Sequence, residues 1–142
     1  MSTQTPRIGI IGAGPTGIAC GREFLQQGIH SFTIFESMDA PGGTWRVQSY
    51  PGLACDVWAH SYSFSYAPNP DWSANFVERA EIQAYLAKCW KEFGLEPYTR
   101  FNTCIESAHW TGSHWNVTTR DGDVVELDIL INAMGNQHTP LY

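Results

Sequence analysis

Basic side chains are few and scattered in this sequence: 8 Lys and Arg stand against 14 Asp and Glu, a formal net charge of −6. Without a basic patch or stripe the chain lacks the electrostatic footprint of a nucleic-acid binder, so nucleic acid is excluded as a partner. Cys20, Cys55, Cys89 and Cys104 show neither C-x-x-C spacing nor the density of a disulfide scaffold. They read as small buried hydrophobes in a reducing, cytoplasmic setting. No apolar run is long enough to cross a bilayer, and Met1 to Pro6 is short and polar, without the apolar region of a signal peptide. His30, His60, His109, His114 and His138 have no ligand spacing and no accompanying carboxylate pair, which leaves no metal site to assign. A Ser/His/Asp or Cys/His nucleophile arrangement is missing too, so chemistry would have to come from a bound cofactor.

What is present is concentrated in Arg7 to Glu36. The apolar run Ile8-Gly9-Ile10-Ile11 predicts a buried parallel strand, and Gly12-Ala13-Gly14-Pro15-Thr16-Gly17 after it is a G-x-G-x-x-G turn opening a helix. Each glycine has a mechanical purpose. Gly12 permits the tight turn, Gly14 lets the backbone approach a pyrophosphate, and Gly17 lets the helix pack on the strand. Pro15 suits a first helical turn, where its missing N–H has no intrahelical partner. Thr16 completes a helix N-terminus whose free N–H groups and partial positive charge face a diphosphate. The helix runs to Gly28, and Ser31 to Phe35 predicts a second strand with Glu36 at its end, where an acid accepts hydrogen bonds from an adenosine ribose and repels a 2′-phosphate.

Further on, Asn69-Pro70-Asp71-Trp72 is turn chemistry. Apolar residues at Ile82, Tyr85, Leu86, Cys89, Trp90 and Phe93 predict a helix from about Arg79 to Phe93, closed by Gly94. The period then changes. Thr99 to Ile105, Ser107 to Thr111 and His114 to Thr119 predict short strands, with Asp121-Gly122 turning the chain into Val124 to Leu127. Asp128 to Gly135 predicts a last buried strand. The fold class expected is α/β: a Rossmann-like parallel sheet with flanking helices and a small antiparallel meander.

From GAGPTGI, the Glu36 strand end, GGTWR, YPGLACDVWAHSYSFSYAPNPDWS and EIQAYL, the chain resembles the class B flavoprotein monooxygenases, the Baeyer–Villiger enzymes and their flavin-containing relatives. Tyr50 to Asp56 followed by Tyr62 to Ser65 is more similar to the Baeyer–Villiger branch than to the N- or S-oxidising branch. Disulfide reductases with a similar first domain carry a redox cysteine after Gly-Gly-x; Trp45 stands there instead. The resemblance implies FAD along Gly43, Thr44, Trp45 and Arg46, Asp56 and Tyr62 near the flavin, and a backbone contact from Ile105 to the adenine. It implies that Ala54, Cys55 and Asp56 touch a nicotinamide cofactor, NADPH, and that Asp56 serves catalysis by placing an arginine. The reaction implied is oxygenation of a ketone, or of an amine or sulfide, by O2 through a flavin C4a-peroxide. For Trp45, Trp58 and Tyr62 core packing is the alternative to a cofactor contact, and for Asp56 it is a capped turn. A second G-x-G-x-x-G is missing, and 142 residues suit one domain, so the expectation is the N-terminal part of a larger FAD- and NADPH-dependent enzyme, with a non-catalytic FAD-binding module or remnant as the alternative.

Overall fold

The computed structural model describes residues 5–137, so His138 and Pro140 lie outside the described residues. Four strands form a parallel sheet in the order β3-β2-β1-β7: β1 (Ile8–Ile11), β2 (Phe32–Phe35), β3 (Thr99–Arg100) and β7 (Ile129–Asn132). Between β1 and β2 runs helix α1 (Pro15–Gln26), with Pro15 in its first turn as the sequence predicts. A single-turn helix α2 (Thr44–Val47) and the longer α3 (Arg79–Glu92) connect β2 to β3. The antiparallel meander β4 (Ile105–Trp110), β5 (Trp115–Thr119) and β6 (Val124–Leu127) follows.

Alternation along the strands divides the molecule into layers, because successive side chains leave opposite faces of a sheet. Ile8, Ile10, Phe32 and Ile34 enter the larger core with Ile18 of α1 and with Ile82, Leu86 and Cys89 of α3. Phe35 leaves by the other face and packs with Val117 and Leu127 of the meander. Gly9 faces the same way, and a Cβ there would stand 2.2 Å from Leu127 Cδ1. The meander therefore sits directly on β1, and a side chain at position 9 could enter only by displacing Leu127. At the end of α3, Gly94 has φ +72° and its N–H reaches Lys91 O at 3.0 Å, so the residue predicted to stop the helix does so.

Three expectations change. The predicted strand Thr99 to Ile105 divides: Thr99–Arg100 joins the parallel sheet beside β2, and Ile105 begins β4 instead of ending the earlier strand. Asn102 at φ 53°, with Thr103 N on Glu36 O at 2.8 Å, turns the chain between the two sheets. The last strand is shorter than Asp128 to Gly135 and only half covered, with Ile129 exposed, because β7 is the edge of the sheet as described. Third, α2 has no helical pattern in the sequence; four residues are too few to show a period.

Strand β7 is fastened to β1 by charge. Asp128 accepts from Arg7 N at 2.7 Å and from the Arg7 guanidinium at 2.9 and 3.1 Å. These hydrogen bonds hold the Asp128 carboxyl down at about 2 and push the Arg7 guanidinium further up. A folded-state pKa below the unfolded one adds stability at ordinary pH that is lost as pH falls through that lower value. Carboxyl NMR titration should show Asp128 titrating near 2, and Arg7→Gln should return it to the ordinary carboxylate range; an ordinary titration in the unsubstituted chain would remove this clasp.

Candidate dinucleotide site

At the carboxyl ends of β1, β2 and β7, where open α/β sheets bind ligands, lies a cleft of about 300 Å³. Its walls come from six stretches of the chain. The turn after β1 contributes Gly12, Gly14, Pro15 and Thr16; the end of β2 contributes Phe35, Glu36 and Ser37. Gly43, Thr44 and Val47 close one side, and Thr103, Cys104, Ile105 and Arg120 close the other, with Ala133 to Gly135 behind.

The glycines of the turn divide by cause. Gly12 has φ +106°, and a Cβ on it would lie 2.6 Å from Ala133 O; one on Gly17 would lie 1.9 Å from Gly12 O. Both are demanded by the chain's own packing, and Gly17 does not line the cleft. Gly14 differs. Its φ of −76° suits any residue, and a Cβ would meet nothing closer than Gly43 Cα at 3.4 Å. Packing leaves room for an alanine there; what the missing side chain keeps open is the cleft itself.

Gly14 is also the N-cap of α1, with no side-chain hydrogen bond to the first turn and no acid in it. Helix N-termini leave their first N–H groups unpaired, and here neither a cap nor a carboxylate competes for them. This end of α1, opening on a cleft beside a glycine with free space, is the donor set for a diphosphate. The residues fit a dinucleotide cofactor.

Glu36 is only 5% exposed and already engaged. Oε2 accepts from Ala13 N at 2.7 Å, while Oε1 accepts from Met38 N at 2.9 Å and from Ser37 Oγ at 3.2 Å. Ala13 is gripped on its other side as well, since Gly42 N donates to Ala13 O at 3.0 Å. Gly43, at φ 56°, then passes so near the turn that a Cβ would stand 2.9 Å from Gly14 Cα. The Gly42-Gly43 pair thus exists to let a second loop lie against the phosphate turn.

Beyond Gly43 the helical twist of α2 sorts the residues expected along FAD. Thr44 and Val47, three apart, face the cleft. Trp45 turns to the core and donates from Nε1 to Tyr62 OH at 2.9 Å, with the two rings edge to face. Arg46 turns outward to Asp39, with Nε 3.1 Å from Oδ1. Tyr62 lines a second pocket of about 280 Å³ with Pro15 and Phe64, so Pro15 is the wall the two cavities share. Tyr85 anchors that pocket, accepting from Phe64 N and donating to Ala67 O, both at 2.8 Å; burial pushes its phenol up to about 12.

The remaining expected residues stay outside the cleft. Ala54 bridges to Glu78, and Cys55 N donates to Val77 O at 2.9 Å. Cys55 is 3% exposed, so its side chain belongs to the core. Asp56 is exposed just beyond this anchor. Trp58, at 66% exposed, is neither core nor cleft. Sequence reading missed Ser37, which follows Glu36 at the end of β2, and Thr103, Cys104 and Arg120, which reach the site through the turn between the sheets and the end of β5; only adjacency to Glu36 and to Ile105 hinted at Ser37, Thr103 and Cys104.

Two variants separate folding from binding. Gly17→Ala should cost about 1–3 kcal/mol of stability through overpacking against backbone, whereas Gly14→Ala should fold with a nearly unchanged melting temperature and lose flavin binding. Retained flavin content in Gly14→Ala would take the turn out of the site. For Glu36, replacement by Gln sets an amide N–H2 against an N–H donor and should lower stability by about 1–3 kcal/mol in urea titrations; unchanged stability would mean that the carboxylate does not hold the turn.

Residues 10–80 match the model of the NAD(P)-binding Rossmann-like domain family. The chain is 40% identical to a Baeyer–Villiger monooxygenase of Pseudomonas aeruginosa, all of this chain aligning with 29% of that protein. A Baeyer–Villiger monooxygenase of Streptomyces coelicolor is 38% identical over 94% of this chain and 26% of its own. Among solved structures, an oxidized steroid monooxygenase bound to NADP superposes with a TM-score of 0.85 at 33% identity, covering 98% of this chain and 28% of that one. The OTEMO complex with FAD and NADP gives 0.85 at 28% identity over 94% and 26%. The chain thus spans less than a third of the length of the relatives it matches. With its β1 turn, α1 and the Glu36 strand end inside the matched segment, the chain belongs to the NAD(P)-binding Rossmann-like domain family.

Proposed function

We propose that this chain forms the FAD-holding part of an NADPH- and O2-dependent flavoprotein monooxygenase that oxidises ketones to esters or lactones. One observation carries the reading: the uncapped N-terminus of α1 opens on the cleft beside Gly14, the one glycine of the turn that packing does not require. FAD, when bound, supplies the redox chemistry and the activation of O2. The chain's residues supply position. The first N–H groups of α1 hold the diphosphate, Glu36 accepts from the adenosine ribose, and Ile105 offers backbone to the adenine. Gly43 and Thr44 lie along the middle of the cofactor, while Trp45 and Arg46 support it indirectly, one through Tyr62 and the other through Asp39.

NADPH and the ketone belong to the same proposal. Asp56, exposed on an anchored loop, is free to meet an arginine from elsewhere in the enzyme, and Ala54, Cys55 and Asp56 form the edge that a nicotinamide cofactor would approach. Ketone over amine or sulfide is supported by the Baeyer–Villiger names of the relatives. A cytoplasmic setting is supported by the unpaired state of Cys20, Cys55, Cys89 and Cys104; no helix among the described residues is long and apolar enough to cross a membrane.

The test is the visible absorption spectrum of the purified chain, with the released flavin identified after denaturation. Bound FAD is expected, either as isolated or after titration with FAD. A folded chain that takes up none would overturn the FAD assignment.

A further inference from the structure

Glu36 and Arg120 are the only charged residues that line the cleft among the described residues, and Arg120 belongs to neither the glycine-rich turn nor α1. It sits at the end of β5, where its N–H donates to Cys104 O at 2.8 Å. The turn behind it is closed by Thr119 N on Asp123 O at 2.9 Å and Gly122 N on Thr119 O at 3.0 Å, with Thr119 2% exposed. The backbone that carries Arg120 is therefore fixed, while the side chain is exposed.

Its neighbour Arg100 shows what an engaged arginine looks like here. Arg100 pairs with Asp123 at 3.9 Å and lies over the Phe35 ring, with Cζ 5.6 Å from the centroid. Among the described residues the Arg120 guanidinium has neither an ion pair nor a hydrogen bond. In a chain with 14 acids and 8 bases, a cation left unpaired at a ligand cleft is uncommon company.

The position along the cleft selects what it would meet. Thr103 N is bound to Glu36 O, and Cys104 O to Arg120 N, so Arg120 stands at the Glu36 end of the cleft, on the side of the adenosine. We infer that Arg120 is a specificity-determining binding residue that lays its planar guanidinium on the adenine ring, from the same side of the cleft as Ile105, whose strand pairs with β5 at Thr119. A guanidinium stacks on an aromatic face and carries charge at once, which an ammonium does not reproduce. The inference rests on the dinucleotide reading of the cleft and adds to it a contact made by the meander.

Calorimetric titration of the chain with ADP, which carries the adenosine and diphosphate but no flavin, tests both. With wild-type binding established, Arg120→Ala should weaken ADP about five- to thirtyfold and leave the melting temperature of the free chain unchanged. Arg120→Lys should recover only part of the loss. Equal affinity in Arg120→Ala would overturn the inference while leaving the nucleotide reading intact. Full recovery in Arg120→Lys would overturn the stacking role in favour of a point charge. A wild-type chain that binds neither ADP nor FAD would remove the reading of the cleft, and this inference with it.

Discussion

The hydrogen bond from Ala13 N to Glu36 Oε2, 2.7 Å long, ties the end of one strand to the turn after its neighbour, and the geometry of the cleft is referred to it. Strand pairing alone sets β1 and β2 in register, Ile11 opposite Phe35, but register does not fix the course of a loop beyond the last pair. The buried carboxylate does so by taking the Ala13 amide, while Gly42 takes the Ala13 carbonyl. Gly14 is then presented to the cleft in a defined direction. An acid buried to 5% would be expensive without partners, so its three protein donors are a condition of its presence. It retains unused lone pairs, because a carboxylate offers about four acceptor sites. Structural clamp and ligand acceptor are compatible roles for the same side chain.

The parallel sheet separates two packing problems. On one face, helices bring long aliphatic and aromatic side chains to Ile8, Ile10 and Ile34. On the other, the meander meets a strand thinned by Gly9, so that Leu127 can occupy the space a side chain would take. That close approach has a consequence at the cleft. The meander enters at Ile105, leaves at Leu127, and carries Cys104 and Arg120 to the rim opposite the phosphate turn. The seat that Gly9 leaves for Leu127 thus lies beneath the element that forms one wall of the cleft.

Legibility in the sequence followed the length of the repeating signal. β1, α1, β2 and α3 were readable because their periods extend over several turns or are bounded by glycine and proline; the meander was readable from alternation and from Asp121-Gly122. The two-residue β3 runs into β4 in the sequence, since nothing local in Thr99 to Ile105 marks where one sheet ends and another begins; the break is made by Asn102 and by Thr103 pairing with Glu36, a contact between residues distant in sequence. The same limit applies at the site. Gly12 to Thr16 and Glu36 lie close in the sequence and in space. Asp56 and Tyr62 are legible only through resemblance, and the structure keeps both out of the cleft, one exposed and the other across Pro15.

A glycine-rich motif is commonly counted as three positions with one purpose, yet here the spacing mixes two kinds of constraint. Gly12 and Gly17 are fixed by contacts at 2.6 and 1.9 Å that exist whether or not a ligand is bound; any chain making this strand, turn and helix would need them. Gly14 answers to no such contact. The same reasoning separates Gly43, forced by the nearness of Gly14 Cα at 2.9 Å, from Thr44, whose place on the cleft is free of that constraint. Two of the motif's glycines therefore argue for the fold and one argues for an occupant. That one position stands at the uncapped end of α1, where unpaired N–H groups and open space coincide, and it is there that the fold makes room for a dinucleotide.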